Sequence, residues 1–142
     1  MWVSALPEET IRHHILNHMI ERLGYPPSLI VVEKALRQLP HLSVNDRQQV
    51  PDRRADIICF AKGVNGQHDL YPLIAIECKA IPLVPRMIKQ IIGYNHFVRA
   101  CFIALANASE IRTGWYDPTK GDYQFIPYLP SYDSLTRIVL KS

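Results

Sequence analysis

The stretch Leu73-Ile74-Ala75-Ile76-Glu77-Cys78-Lys79 is apolar until its end, where two charges appear. Side chains alternate across a strand, so Leu73, Ala75, Glu77 and Lys79 share one face and Ile74, Ile76 and Cys78 the other. A strand this apolar is built for burial, and a buried charge is costly unless it is paired or bound to a metal. An intrastrand Glu77–Lys79 ion pair at a sheet edge meets that requirement, so the tripeptide alone defines no site. The preceding strand, Ala55-Asp56-Ile57-Ile58-Cys59-Phe60, carries a second interruption at Asp56. Gly63 to Gly66 between the two strands predicts an antiparallel connection. Register permitting, Asp56 and Glu77 then converge, and Mg²⁺ is commonly held by one or two carboxylates plus waters. A salt bridge from Asp56 to Arg53 or Arg54 is the plainer alternative for Asp56 by itself.

The rest of the chain supplies a frame for these strands. Pro7-Glu8-Glu9-Thr10 opens a helix, with acids beside the positive end of its dipole. Its pattern runs Ile11, Ile15, Leu16, Met19, Ile20, Leu23 and stops at Gly24, with Pro26 and Pro27 beyond. At about 100° per residue these positions form one broad arc, and Glu9 and Arg12 fall inside it. A strand follows at Leu29 to Glu33, extending toward Leu36, and His41 to Arg53 reads as a loop. Pro82 to Arg99 forms a second helix with the stripe Leu83, Met87, Ile91, Tyr94 and Val98. Gln90 lies on that wheel between Phe97 and Leu83, where an amide has to find hydrogen-bond partners. Cys101 to Ala106 is apolar on both faces and belongs in the middle of a sheet. Thr113 to Tyr116 and Asp122 to Ile126 flank Asp117-Pro118-Thr119-Lys120-Gly121, a hairpin signal. The order is helix, three strands, helix, strand, hairpin, which predicts an α/β (α+β) fold with a mixed central sheet and flanking helices.

Composition bounds what such a fold can do. The chain has 142 residues, 48% hydrophobic and 20% charged, which reads as a single domain over residues 1–142. At this size there is no room for a motor, a helicase or a nucleotide-dependent translocase, and no Gly-rich phosphate loop occurs. The net charge of +3 permits a polyanionic partner without requiring one. Cys59, Cys78 and Cys101 each sit in an apolar run and read as buried thiols of a reducing cytosol. Met1-Trp2-Val3-Ser4 shows neither a basic region nor a long apolar stretch, so no signal peptide is expected. No apolar run approaches the ~20 residues a bilayer needs, and the expectation is a cytoplasmic protein with no membrane partner.

Other chemistries are less well supported. His14 and His18 stand at a spacing that can chelate zinc, but they share a polar face with Asn17 and Glu21, the pattern of a solvated surface. Cys78 points away from Glu77 and Lys79, so a cysteine nucleophile at that site is not expected. Trp115, Tyr116, Tyr123 and Phe125 could stack on bases, though cross-strand packing is the commoner use.

Several segments together resemble one family. They are Pro7-Glu8-Glu9-x-x-Arg12, Leu23-Gly24-Tyr25-Pro26, Glu33, Arg54-Ala55-Asp56-Ile57, Ile76-Glu77-Cys78-Lys79 and Gln90-x-x-x-Tyr94. In order and spacing they resemble the PD-(D/E)XK nucleases, specifically the nuclease domain at the N-terminus of type I restriction enzyme R subunits. The resemblance covers residues 7 to 107 and departs at Arg54-Ala55-Asp56, which replaces a Pro-Asp pair. It implies a restriction-endonuclease-like αβββαβ core, here followed by the hairpin. It implies that Asp56 and Glu77 bind Mg²⁺ (with Mn²⁺ able to substitute), helped by the backbone carbonyl of Cys78 and by Glu9. Lys79 would orient or activate the attacking water, and Gln90 and Tyr94 would position the site. The implied activity is endonucleolytic hydrolysis of phosphodiester bonds in nucleic acid, DNA first.

Arg12, Arg53, Arg54, Arg86 and Lys89 are the expected phosphate contacts. A homodimer, or a separate motor or specificity partner, is the expected assembly. The rival is a catalytically inactive module on the same fold that binds nucleic acid or a protein without cutting, since fold does not fix function. The joint presence of Asp56, Glu77 and Lys79 argues against it.

Overall fold

The computed structural model describes residues 7–141, so the expectation about a leader at Met1 to Ser4 lies outside the described residues. Helix α1 spans Pro7–Glu21. Gly24, at φ 71°, closes it as expected: the left-handed turn lets the Tyr25 N–H donate to the Met19 carbonyl at 3.0 Å. The buried stripe is narrower than the wheel predicts. Ile11, Ile15 and Met19 are buried, whereas Ile20 is 41% exposed. Strand β1, Ile30–Ala35, follows a 3₁₀ turn at Pro27–Leu29.

The expected loop from His41 to Arg53 contains a short helix, α2, Val44–Gln49. Ser43 caps it by accepting the Asp46 N–H at 3.1 Å. None of its residues is buried, so it has no apolar period for a sequence reading to detect. Strands β2, Arg54–Asn65, and β3, His68–Cys78, form an antiparallel hairpin longer than expected at its turn end. Helix α3, Pro85–Val98, then crosses over to β4, Phe102–Ala106, which pairs parallel to β3. Every residue of β4 is buried, consistent with its central place. Strands β5, Ile111–Asp117, and β6, Asp122–Ile126, form the predicted hairpin.

The sheet order is β1-β2-β3-β4-β5-β6, with β3/β4 the one parallel pairing in this six-stranded sheet. One face carries Ile57, Cys59, Ile74, Ile76, Phe102 and Ala104 against Ile11, Ile15 and Met19 of α1 and Leu135 of the last helix, α4, Tyr132–Leu140. The other carries Ile103 and Leu105 against Met87 and Ile91 of α3. The tail after Pro127 therefore completes the fold. Tyr25 secures it, donating its hydroxyl to the Pro130 carbonyl at 2.8 Å and packing edge-on against Tyr132. These layers form a mixed α/β architecture consistent with a restriction-endonuclease-like α+β fold. Among the described residues no helix is long and apolar enough to cross a membrane.

One close approach in the terminal hairpin gives a direct test of the packing. A Cβ on Gly114 would lie 2.4 Å from the Phe125 ring, its register partner on β6. Gly114→Ala is expected to lower stability by about 1–3 kcal/mol, measured as a shift in the urea unfolding midpoint at unchanged slope.

Candidate active site

The β2/β3 register sets the site. Ile57 pairs with Ile76 and Ile58 with Ala75, so Asp56 and Glu77 follow directly beyond these pairs at one end of the hairpin, and Glu77 lies with Ala55 and Ala75 on the face covered by α3. The charge of Asp56 reaches the Glu77 carboxyl. Asp56 is half-buried and accepts the Cys78 backbone N–H through Oδ2 at 2.7 Å. A carboxylate accepting an N–H is held more firmly than one in a neutral pair. Neither Arg53 nor Arg54 forms the salt bridge to Asp56 that was the alternative.

Glu77 is buried, 9% exposed, and its partner is Arg53: Nη2 donates to Oε2 at 2.8 Å. No ion pair joins Glu77 to Lys79, so the intrastrand pair is absent. Burial first, and then the charge of Asp56, push the Glu77 carboxyl up to about 7, against the opposing pull of Arg53 and Lys79. Asp56 Oδ1 and Glu77 Oε1 receive no protein donor among the described residues.

Lys79 follows the end of β3. Its backbone N–H donates to the Ala106 carbonyl at 2.8 Å, which ties it to the neighbouring strand. Its half-buried side chain forms no ion pair among the described residues. An acid pair with an oxygen free on each member, and a cation beside it, is a set of hard donors suited to Mg²⁺ or Mn²⁺. No group of three or more His, Cys, Asp or Glu side chains among the described residues makes a ready metal cage. Glu9 is therefore not gathered with Asp56 and Glu77, although α1 brings its first turn close. The charges of Glu8 and Arg12 both reach the Cys78 thiol, and Glu9 is half-buried.

The expected phosphate contacts divide into two groups. Arg12 pairs with the Glu33 carboxylate at 3.3 Å, and Arg54 donates to the Glu33 carbonyl at 3.0 Å. Glu33 holds both from a left-handed backbone at φ 51° on β1, a conformation costly for a residue with a Cβ. Arg53 is committed to Glu77. Its guanidinium also lies over the Tyr94 ring, 4.1 Å from the centroid. Arg86 and Lys89, on α3, remain exposed and form no ion pair among the described residues.

Gln90 differs from its expectation: it is exposed. The wheel that buried it used Leu83, which precedes the helix, because α3 begins only at Pro85. Asn95 takes the buried polar place instead, closing the turn after α3 through bonds to both backbone groups of Ala100. Sequence reasoning missed it, and its cue is the polar interruption between Ile91 and Val98.

The rival chemistries find no support in the geometry. Cys78 and Cys59 are buried, and burial raises both thiols to about 12, far from thiolate reactivity. His14 and His18 are exposed. Tyr116 and Tyr123 pack across the β5/β6 hairpin at 5.8 Å. Glu77 lines a cavity of only ≈ 20 Å³, while roomier ones of ≈ 400 and ≈ 550 Å³ lie along α1 and between α4 and the terminal hairpin.

The six-stranded mixed sheet with its flanking helices is consistent with a restriction-endonuclease-like α+β fold. The family model of the type I restriction enzyme R protein N terminus (HSDR_N) matches residues 7–130, and the chain belongs to that family. That span contains every candidate site residue and ends before α4. No curated protein and no solved structure matches the chain.

The raised Glu77 carboxyl carries a pH signature. Between about 4.5 and 7 the folded protein holds a proton that the unfolded chain has lost, so this contribution to stability is present below that window and is lost as pH rises through it. In EDTA, the wild type is expected to lose up to about 3 kcal/mol relative to Glu77→Gln between pH 4 and pH 8. Urea unfolding of both proteins across that range measures the difference.

Proposed function

We propose that this chain is a metal-dependent nuclease of the PD-(D/E)XK type that hydrolyses phosphodiester bonds of DNA. The observation that carries this reading is the placing of Asp56 and Glu77 just beyond the paired residues at one end of β2 and β3, close enough for their charges to interact, with Lys79 following directly. In this reading Asp56, Glu77 and the Cys78 carbonyl hold Mg²⁺, for which Mn²⁺ can substitute, and Glu9 acts from the edge of the site through water. The bound ion supplies a more acidic water and polarises a phosphoryl oxygen.

The chain's own residues do the rest. Asp56 is fixed by the Cys78 N–H and keeps an oxygen free. Glu77 adds a buried carboxyl whose charge interacts with that of Asp56. The Lys79 ammonium orients the attacking water and offsets the negative charge that grows on the phosphoryl group. Arg86 and Lys89 contact the backbone of the nucleic acid from the exposed side of α3, and Gln90 is placed on the same helix to help position it. Without a translocating motor in these residues, the domain meets DNA through its own surface, a second copy or a separate motor or specificity subunit in the cytoplasm.

The test is incubation of the purified protein with supercoiled, linear and single-stranded DNA in Mg²⁺, Mn²⁺ or EDTA. Cleavage with either metal and none in EDTA is expected. Binding without cleavage in every divalent ion would instead favour the inactive binding module.

A further inference from the structure

Arg53 stands just before β2 and reaches two groups at once. One is Glu77, through the 2.8 Å bond to Oε2, and the other is the Tyr94 ring, whose face its guanidinium covers at 4.1 Å. Its side chain is 29% exposed, that of Glu77 11%. A planar, always-charged fork stacked on an aromatic face loses most of its rotational freedom, which a lysine ammonium at the same place would keep. The ring is itself held by α3, where Ile91 and Asn95 beside it are buried. The ≈ 20 Å³ cavity lined by Arg53, Glu77, Tyr94 and Asn95 leaves little space for the carboxylate to swing. Arg53 therefore occupies one oxygen of Glu77, and Oε1 has no donor among the described residues.

We infer that Arg53 is a positioning residue: clamped on Tyr94, it fixes the Glu77 carboxylate so that Oε1 is presented to a divalent cation. The inference rests on the nuclease reading and adds to it. It gives Tyr94 a task, the platform for Arg53, and moves Arg53 from the DNA-contacting surface to the support of a metal ligand. Outer groups that hydrogen-bond a metal-ligating carboxylate typically change metal affinity by about 10–100-fold when removed.

The experiment is titration of Mn²⁺ alone into the protein by calorimetry, with unfolding midpoints recorded for every variant. Arg53→Met keeps an apolar stem over the ring, and is expected to weaken Mn²⁺ binding by about 10–100-fold. Arg53→Lys restores the charge but not the stacked fork, and is expected to recover only part of that loss. Tyr94→Leu is expected to weaken binding in the same direction, and Tyr94→Phe to recover what Tyr94→Leu loses, because the ring face is the platform. At saturating Mn²⁺ the Arg53 variants are expected to change kcat for DNA cleavage and leave KM for DNA unchanged, since Arg53 does not face the substrate.

Wild-type affinity in Arg53→Met would overturn the inference, and so would tighter binding, which would make Arg53 a competitor of the metal. Full recovery in Arg53→Lys would reduce its role to charge alone and overturn the clamp. Failure of the wild type itself to bind Mn²⁺ would instead sink the nuclease reading and this inference with it.

Discussion

The double variant Asp56→Ala/Glu77→Ala is expected to lose Mn²⁺ binding, with calorimetric heats falling to the level of dilution. The expectation follows from the register. Ile57 opposite Ile76 leaves the two acids next in line at one end of β2 and β3, and each keeps one oxygen without a donor among the described residues. A hard divalent ion held there relies on two carboxylates and waters. Removing both should weaken binding by more than about 100-fold, beyond the effect of any supporting group. The fold should survive, because the double change removes a carboxyl raised first by its burial and then by the Asp56 charge, and leaves the apolar layers untouched. Affinity equal to the wild type would place the metal site elsewhere.

Lys79→Ala is expected to do something different: leave Mn²⁺ binding largely in place and remove cleavage. The ammonium forms no ion pair among the described residues, so its loss breaks no salt bridge there and withdraws only a charge that favours the Glu77 carboxylate. Its backbone stays tied to Ala106 whatever the side chain. Loss of a charge aimed at the developing anion of a transition state costs about 10²–10³ in kcat in well-studied hydrolases. A drop of that size at saturating metal, with KM for DNA within about twofold of wild type, is the pattern of a group acting mainly in the transition state. Equal loss of metal affinity and cleavage would instead make Lys79 a structural support of the acids.

Much of this site was legible because it rests on alternation. Charges that break an apolar strand are visible in any window, and parity alone puts Glu77 and Lys79 on one face. The antiparallel β2/β3 connection then makes Asp56 and Glu77 neighbours. Elements without an apolar period were not legible. Helix α2 has a single apolar residue, the exposed Val44, and announces itself only by Ser43 three residues before Asp46. The outer halves of β2 and β3 run past Gly63 with exposed residues, so their extra length left no signal.

Gln90 was misplaced by a wheel anchored on Leu83, a residue outside the helix. Arg53 shows a different limit. A cation three residues before an acid reads equally well as its partner, as a phosphate contact or as a solvated charge. Only the tertiary placement of Tyr94 and Glu77 selects among these. The left-handed Glu33 likewise gathers Arg12 and Arg54 by a backbone conformation that sequence does not announce.

The most direct measurement is cleavage of DNA by wild type and Lys79→Ala, purified in parallel and assayed in Mg²⁺, Mn²⁺ and EDTA. The account predicts metal-dependent cleavage by the wild type, none in EDTA, and a loss of about 10²–10³ or more in the variant at saturating metal. Equal cleavage by the two proteins would contradict it, because the activity would then belong to another site or another protein.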